Sequence, residues 1–333
     1  MKNDEMPLMV SIRCTAYNHE PYIRQCLDGI VMQHTNFRFE AIVHDDASTD
    51  GTANIIREYA ERYPDIIKPI YEVENQWSKD RLAFRKIVDS ACKGKYIANC
   101  ECDDYWTDPL KLQKQVDFLE ANPVYSMCFH AVNHVENGRI VGNDRHFERD
   151  CDVKPNIIIH EGGLYCPFCS MVYRREYMDD WPRFRQIADV GDGPLAILLS
   201  LRGKVRYFTA IMGSYRTVSE GSWTHENKKN SERVYAHLLT GHNWYKSLNE
   251  YTNGAYRDEI YHRICMTSVW LYKSGKITKE TLLDNFSHLS WGKDKLHHYY
   301  KFFLFEYPIL FKCGHYVKNK IRNIRKIWLK KKN

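Results

Sequence analysis

Short apolar segments alternate with helical patterns through the first third of the chain, and this alternation limits the possible folds more than any other feature of the sequence. Apolar runs at 8–14, 39–44, 66–73 and 96–100 predict strands, with helix-spaced apolar residues between them. Pro69 places the third strand at a sheet edge, because proline has no N–H for a ladder hydrogen bond. The pattern predicts an α/β fold with a mainly parallel sheet.

The middle of the chain is less regular. Asp108 and Pro109 predict the start of a helix, with Asp108 as its N-cap, and Asn122 followed by proline predicts its end. Beyond it, from about residue 125 to 215, we expect only short extended segments, interrupted by one helix over 194–201.

Helical periodicity dominates from Ser231 onward. We therefore predict an α/β domain over 1–225, with halves at about 1–123 and 124–225. A helical extension at 226–295 and an aromatic, basic tail at 296–333 would follow.

Composition narrows the class of protein. Hydrophobic residues make up 44% of the 333 residues and charged residues 27%, which is typical of a globular protein rather than a disordered chain or a membrane bundle. The first residues contain acids and a proline where a secretory signal needs a basic start and an apolar stretch. We expect a cytoplasmic protein whose cysteines are reduced core residues.

The net charge of +6 is concentrated at the C-terminus. Nine of the 48 Lys and Arg residues lie within 312–333, which has no acid, so the rest of the chain has 39 basic against 42 acidic residues. This distribution argues against a nucleic-acid-binding body. Apolar residues interleaved with the basic ones suit a helix on an anionic membrane surface, and a solvated charged end is the alternative.

Polar residues follow three of the predicted strands. In an open parallel sheet the ligand lies beyond the carboxyl ends of the strands, so we expect these residues to converge. They are Thr15, Tyr17 and Asn18 after the first strand, Asp45 and Asp46 after the second, and Glu101, Asp103 and Asp104 after the fourth.

These residue types describe a ligand. The ring of Tyr17 suits stacking against a base, and Asp45 or Asp46 can accept from a ring N–H or a ribose hydroxyl. Glu101 and Asp103 can direct oxygen ligands at a divalent cation, which would neutralise a diphosphate. The alternative for any one acidic pair is a solvated loop or a helix cap.

The chain resembles the family 2 glycosyltransferases, which have the GT-A fold. The segments that match are VSIRCTAYNHEPYIRQCLDGIVMQ, AIVHDDASTDGT and GKYIANCECDDYWTDPLKLQKQVDFLEANP, in order over about 8–123. The stretch 94–106 is closest to bacterial members that build surface polysaccharides. The resemblance implies a nucleotide-sugar donor, most simply UDP-linked, and a saccharide or lipid-linked saccharide acceptor.

The resemblance also implies residue roles. Tyr17 and Asp45 would hold the nucleobase, and Asp104 would face the sugar or the acceptor. Glu101 and Asp103 fill the DxD motif, with Asp103 as the direct ligand of Mn²⁺ or Mg²⁺ and Glu101 bonded to ribose or to metal-bound water. Having Glu in the first position departs from the commoner Asp but keeps the charge.

Asp192 occupies the place of the family's catalytic base, which would take the proton of the acceptor hydroxyl as it attacks the anomeric carbon. Such a displacement inverts the anomeric centre. Asp189 is the rival for this role, and a polar helix entry is the non-catalytic interpretation.

Two positions depart from the family pattern. Val218 stands where many members have a histidine after the Tyr-Arg pair, and His225 or Arg216 could replace it. A basic residue between the third and fourth strands often holds the nucleotide. Here Lys79, Arg81 and Arg85 compete for that role.

Two other functions stay open from sequence. A sugar-nucleotide nucleotidyltransferase would need a glycine-rich, basic loop after the first strand, which residues 17–21 do not provide. A non-catalytic glycan or lipid adaptor could keep the fold, although intact Asp45, Asp103 and Asp192 argue against it. Cys166 and Cys169 have metal-knuckle spacing but lack a second ligand pair, so we predict core thiols.

Overall fold

The chain falls into two units by its contacts, Met1–Asn253 and Gly254–Asn333. A computed structural model describes residues 6–218 and 230–290, together with 292, 295–299 and 302. The boundary between the units lies inside the stretch 226–295, for which the sequence predicts a helical extension.

A mixed sheet of ten strands organises the described part of the first unit. The strands are β1 (Leu8–Ala16), β2 (Arg38–Asp45), β3 (Ile67–Tyr71), β4 (Tyr96–Asn99), β5 (Tyr105–Trp106), β6 (Tyr125–Glu136), β7 (Arg139–Asn143), β8 (Cys151–Val153), β9 (Val172–Arg174) and β10 (Lys204–Val218). Their order is β3-β2-β1-β4-β9-β6-β10-β5, with β7 paired to β6 and β8 to β10.

The first four strands are parallel, and β3 is at the edge, as Pro69 predicts. β9 then runs antiparallel to both β4 and β6, which makes the sheet mixed. Helices cover the sheet on both faces, and for this reason β1 and β4 are buried along almost their whole length.

Helices connect the strands and form most of the rest of the molecule. In the first unit they are α1 (Ile23–Val31), α2 (Thr52–Arg62), α3 (Gln76–Lys79), α4 (Arg81–Ala91), α5 (Lys111–Ala121), α6 (Pro155–Glu161), α7 (Arg183–Ile187), α8 (Asp192–Arg202) and α9 (Ser231–Tyr251). Ile23, Leu27 and Ile30 of α1 are fully buried in the main core, which also contains Ile55 and Ile56 of α2.

The expectation of only short extended segments over 125–215 is wrong. β6 has 12 residues and β10 has 15, and the two pair in parallel. β6 is buried on both faces from Ser126 to Val132, so it has no alternating pattern for the sequence to reveal. The pairing of β10 shifts register between Phe208 and Gly213, which breaks its alternation as well.

Asp108 is not the N-cap of α5, which begins at Lys111 after Leu110. Residues 108–111 form a separate turn, closed by a bond from the Lys111 N–H to the Asp108 carbonyl (3.2 Å). The Asp108 carboxylate accepts from the Leu110 N–H (2.9 Å) and pairs with Lys114 (2.6 Å). It therefore stabilises the turn before the helix. The predicted helix at 194–201 is confirmed as α8, which Gly203 follows.

The second unit contains α10 (Arg257–Lys273) and α11 (Lys279–Ser287), which pack against each other. Buried Asn285 of α11 donates to the Ser268 hydroxyl of α10 at 3.1 Å. Within the described ranges, the structure has no helix with the length and hydropathy needed to cross a membrane. The predicted basic tail lies outside the described residues from 303 onward.

Candidate active site

The loops that follow β1 and β2 are joined to each other. The parallel register pairs Ala16 with Asp45, so the two loops start side by side. Five hydrogen bonds connect them: Asn18 N–H to Ser48 Oγ (2.9 Å), Thr49 N–H to Asn18 Oδ1 (2.8 Å), His19 N–H to Thr52 Oγ1 (2.8 Å), Glu20 N–H to Asp50 Oδ2 (3.1 Å) and Gly51 N–H to Glu20 Oε2 (2.7 Å).

The segment after β4 reaches the same place. The Cys102 N–H donates to the Thr15 carbonyl at 3.1 Å, which continues the pairing of β4 with β1 beyond the last ladder residue. The three polar segments therefore converge, as the predicted strand order requires. We call residues 15–20, 45–52 and 101–104 together the carboxyl edge.

Tyr17 and Asp45 differ sharply in exposure. The Tyr17 side chain is 41% exposed, whereas Asp45 is 3% exposed. Burial raises the pKa of Asp45, although hydrogen bonds from Ser48 oppose the shift. Within the described residues, Asp45 Oδ1 is buried and has no hydrogen-bond partner. An exposed ring beside a buried, unsatisfied acceptor suits a planar heterocycle that carries an N–H.

Asp46 and Asn18 already have partners within the fold. The two oxygens of Asp46 accept from the backbone N–H groups of Gln76 (2.6 Å) and Trp77 (3.0 Å), which fixes the start of α3. The Asn18 amide oxygen accepts from Thr49. Asp46 and Asn18 therefore stabilise the backbone of the carboxyl edge through hydrogen bonds.

Glu101 and Asp103 are partly buried at the end of β4. Burial raises the pKa of Glu101 to about 8, and the charges of Asp103 and Asp192 add to this effect. Like charges held together in a partly buried site oppose ionisation of at least one of them. The shift places Asp192 in the electrostatic environment of Glu101, although it lies about ninety residues later in the chain.

Asp104 is buried and faces β10. Its Oδ1 accepts the backbone N–H of Arg216 at 2.9 Å, and its Oδ2 is buried with no hydrogen-bond partner among the described residues. Burial, followed by the charge of Asp103, holds the pKa of Asp104 well above its ordinary value. Asp104 thus connects the segment 101–104 to β10.

Arg216 joins this segment through its side chain. Its guanidinium donates to the Asp103 carbonyl and to Gln25 Oε1. It lies over the rings of Tyr22 (4.9 Å) and Tyr105 (4.8 Å). This places a cation beside the acids, where the sequence suggests Arg216 as one replacement for the missing histidine. The other, His225, lies outside the described residues.

Asp192 is the first residue of α8. Burial raises its pKa, while hydrogen bonds from backbone N–H groups at the helix start lower it. A Cβ added to Gly163 would lie 2.9 Å from the Gly193 Cα and 3.7 Å from Asp192 Oδ1. The start of α8 therefore packs directly against the backbone at Gly163, where a side chain would not fit.

Tyr215 is a site residue whose role the sequence does not reveal. Burial raises its pKa, and the charges of Asp104, Glu101, Asp103 and Asp192 raise it further, in that order. All four carboxylates affect the pKa of this one half-buried phenol, so they lie in one region around it. The only signal in sequence is its place directly before Arg216, in the Tyr-Arg pair.

Asp189 is engaged with basic groups. Its Oδ2 lies 2.7 Å from His237 Nδ1 and 3.9 Å from Arg81 Nη1. His237 thus engages one oxygen of Asp189, while Oδ1 is buried and has no hydrogen-bond partner among the described residues. Within the described residues, by contrast, Asp192 makes no ion pair with a side-chain cation, and His237 and Arg85 act on it only through their charge. The two candidates for the base thus differ in their partners.

The three basic candidates between β3 and β4 lie in different surroundings. Lys79 pairs with Glu74, and Arg81 lies 5.2 Å from the Trp77 ring. Arg85 is buried and donates to the carbonyls of Ala188 (2.6 Å) and Val190 (3.2 Å). Arg85 therefore stabilises the loop that carries Asp189, and its guanidinium is not exposed for binding a ligand.

Glu101 and Asp103 could hold a divalent cation together with oxygens of a bound substrate. The described residues contain no group of three or more His, Cys, Asp or Glu side chains arranged to hold a metal ion. Two carboxylates, Glu101 and Asp103, are nevertheless sufficient for Mg²⁺ or Mn²⁺ when substrate phosphates supply further oxygens. Burial raises the pKa of Glu101, and the neighbouring charges of Asp103 and Asp192 raise it further; a cation would offset that repulsion. Cys166 and Cys169 are buried, as predicted for core thiols.

A mixed sheet in this strand order, with its polar segments converging at the carboxyl edge, defines a domain of the GT-A type. The chain belongs to glycosyl transferase family 2, whose family model matches residues 11–181. This confirms the resemblance found in the sequence.

Individual relatives match stretches of different length. An uncharacterized protein of Mycobacterium tuberculosis is 39% identical over 221 residues, which cover 64% of this chain and 60% of the relative. The match thus spans about 60% of that relative's length. The Escherichia coli protein WfaP, a UDP-Glc:alpha-D-GlcNAc-diphosphoundecaprenol beta-1,3-glucosyltransferase, is 32% identical over 117 residues, or 35% of this chain and 43% of WfaP.

The fold has a counterpart among solved structures. Residues 1–349 of TarS from S. aureus superimpose with a TM-score of 0.60 at 17% identity, covering 85% of this chain and 81% of TarS. The same fragment has been solved with UDP and with UDP-GlcNAc, with TM-scores of 0.55 in both cases. At this identity the likeness establishes the GT-A fold.

Proposed function

We propose that this chain is an inverting, metal-dependent glycosyltransferase. It would move a sugar from a UDP-sugar to a saccharide or lipid-linked saccharide during surface polysaccharide synthesis. The observation that carries the proposal is the grouping of Asp45, Glu101, Asp103 and Asp192 around the carboxyl edge. The UDP complexes of TarS and the lipid-linked acceptor in the name of WfaP support the choice of donor and acceptor.

Tyr17 and Asp45 form the base subsite of the proposal. The exposed Tyr17 ring provides one face for stacking, and Asp45 Oδ1 accepts a ring N–H such as that of uracil. Thr15 and Asn18 hold the surrounding backbone in place, because both bridge neighbouring loops. Selection among nucleobases then depends on the hydrogen bond from the ring N–H to Asp45 Oδ1, which a heterocycle without that N–H cannot form.

Asp103 would hold Mn²⁺ or Mg²⁺ directly, with Glu101 beside it. When bound, the cation supplies charge neutralisation for the leaving diphosphate. Asp104 and Asp46 act as positioning residues in this scheme, because their oxygens accept backbone N–H groups of Arg216 and of α3.

Asp192 acts as the general base. It takes the proton from the acceptor hydroxyl while that oxygen forms a bond to the anomeric carbon. The bond between this carbon and the diphosphate oxygen breaks on the opposite face, so the configuration inverts and UDP leaves. Burial raises the pKa of Asp192, which increases its basicity.

The proposal is tested with a donor panel. UDP-, GDP-, CMP- and dTDP-sugars are compared by thermal shift with Mn²⁺, since a ligand that binds the native state raises the melting temperature. Transfer from the best donor to a diphosphate-lipid-linked saccharide is then followed by UDP release. Binding without transfer to any saccharide would favour the adaptor, and formation of a nucleotide sugar from a sugar phosphate would favour the nucleotidyltransferase.

We also propose that residues 312–333 attach the protein to the inner face of the cell membrane. The support is the sequence alone, which has nine basic residues and no acid there. Each basic residue near an anionic surface contributes about 1 kcal/mol. Flotation with phosphatidylglycerol vesicles should recover the full chain but not a chain ending at residue 311. Equal recovery from vesicles of neutral lipid would contradict this proposal.

A further inference from the structure

We propose that His237 of α9, through its hydrogen bond with Asp189, is a positioning residue that holds the base Asp192 in place. The inference rests on the proposed function, since it assigns a role within the same site. Helix α9 lies outside residues 11–181, which the family model matches. The match to the family therefore does not include this contact.

The central contact is short and well placed. His237 Nδ1 lies 2.7 Å from Asp189 Oδ2, a distance at which an imidazole N–H donates to a carboxylate. The Asp189 side chain is 12% exposed and that of His237 is 24% exposed, so solvent competes weakly for this bond. Asp189 in turn lies three residues before Asp192 on the same loop.

The loop at 188–192 is held from two sides. Arg85 of α4 donates to the carbonyls of Ala188 and Val190 from the buried side. His237 reaches Asp189, between those two carbonyls, from α9. With both flanking carbonyls and the intervening side chain fixed, the start of α8 and therefore Asp192 have little freedom to move.

Helix α9 is itself fixed where His237 projects. The Asn230 side chain caps the helix by accepting from the N–H groups of Glu232 (3.1 Å) and Arg233 (3.2 Å). The helix packs against α7, which immediately precedes the 188–192 loop. His237 thus connects a capped, packed helix to a loop without regular structure.

Charge supports the same assignment. Burial raises the pKa of Asp192, and the charges of His237 and Arg85 lower it. The two groups that hold the loop therefore also act on the base, and Arg85 does so as a cation that favours its carboxylate form.

The test separates positioning from folding. His237→Ala removes the donor to Asp189, whereas His237→Asn keeps an N–H donor near the place of Nδ1. In transfer assays we expect His237→Ala to lower kcat about 10- to 100-fold with the donor KM within about twofold of wild type. His237→Asn should recover most of the loss. His288→Asn is the matched control, because His288 also pairs with a carboxylate, at 3.7 Å from Asp284 in the second unit.

A double-mutant cycle gives the second arm. Asp189→Ala should reproduce the loss in His237→Ala, and the double variant should lose no more than either single variant, because one hydrogen bond is removed in all three. UDP binding by calorimetry reports folding of each variant independently of turnover.

The outcomes separate this inference from the proposed function. Wild-type kcat in His237→Ala, or equal losses in the Ala and Asn variants with additive effects in the cycle, would overturn this inference and leave the proposed function intact. A wild-type chain that transfers no sugar would overturn the proposed function and this inference with it.

Discussion

The carboxyl edge and the 188–192 loop both present carboxylates to the same site, but they are held in different ways. Short hydrogen bonds between neighbouring loops fix the carboxyl edge, and its side chains bond to groups at the ends of adjacent strands. The 188–192 loop depends on long side chains from distant helices, Arg85 and His237. The proposed donor side of the site is thus built by sheet topology, and the proposed base side by tertiary contacts.

The largest losses of activity are expected from one substitution in each region, and binding of UDP should distinguish the two variants. Asp103→Ala and Asp192→Asn should each lower kcat/KM for transfer by about 10²- to 10⁴-fold, because one removes a proposed metal ligand and the other the base. Metal-dependent UDP binding should be lost only in Asp103→Ala. Calorimetry with UDP and Mn²⁺ measures this difference, with exposed Asp65→Asn as the control. Full turnover in Asp192→Asn would remove the base assignment.

Arg85→Met should be the most destabilising change that leaves all the acids in place. The substitution removes a buried guanidinium and leaves two carbonyls of the 188–192 loop without donors. We expect a loss of about 2–4 kcal/mol in the free energy of unfolding. Urea denaturation measures it, with Arg139→Met, an exposed arginine of β7, expected within about 0.5 kcal/mol of wild type. Equal midpoints for the two variants would mean that the loop does not depend on Arg85.

This contrast explains what the sequence can predict. Thr15, Asp45 and Asp103 are predicted to lie together because each follows or ends an apolar run, and parallel strands bring their carboxyl ends to one edge. The relation of Asp192 to them comes only from the family resemblance. No local pattern links it to Arg85, which lies more than a hundred residues earlier.

The two errors of secondary structure have different causes. β6 escapes prediction because an extended segment buried on both faces loses the alternation that identifies a strand. Asp108 resembles a helix cap because an Asp followed by proline is typical of both a cap and a turn. In each case the deciding contact comes from another part of the chain or from the next turn of backbone, which a residue pattern does not contain.

Tyr17→Ala should weaken the donor side without affecting the base side. Loss of the stacking face is expected to raise the KM for the UDP-sugar about tenfold and to leave kcat within about twofold, since a stacking contact contributes about 1–2 kcal/mol. Tyr17→Phe keeps the ring and should behave like wild type. A fall in kcat at unchanged KM in Tyr17→Ala would place the ring at the reacting centre instead.

Lys111 provides a pH test of the core beneath the carboxyl edge. Its side chain is fully buried, donates to Gln115 Oε1 (2.8 Å) and lies 4.1 Å from the Trp106 ring. Burial lowers the pKa of Lys111 from 10.5 to about 8. Between pH 8 and 10.5 the unfolded chain therefore binds more protons than the native protein, so this lysine contributes increasing stability as the pH rises.

Melting temperatures of wild type and Lys111→Met isolate that contribution. Relative to the variant, the wild type should gain about 2–4 °C between about pH 8 and 10. The comparison cancels the titration of the tyrosines and cysteines that both proteins share. A difference that stays constant over this range would mean that Lys111 is charged in the native protein as readily as in the unfolded chain.

The smallest effect concerns backbone strain in the carboxyl edge. Ala47 has a φ of 61°, a left-handed conformation that costs a residue with a Cβ about 1–2 kcal/mol. Ala47→Gly removes this cost but adds about 0.4–1 kcal/mol of unfolded-chain entropy, so we expect a net stabilisation of about 0.5 kcal/mol. Ala53→Gly is the matched control, because Ala53 lies in α2 and its replacement should destabilise by about 1 kcal/mol. Opposite signs in urea denaturation would locate the strain in the loop that carries Asp45 and Asp46. Destabilisation by both would mean that the β-carbon of Ala47 contributes more through packing than its backbone conformation costs.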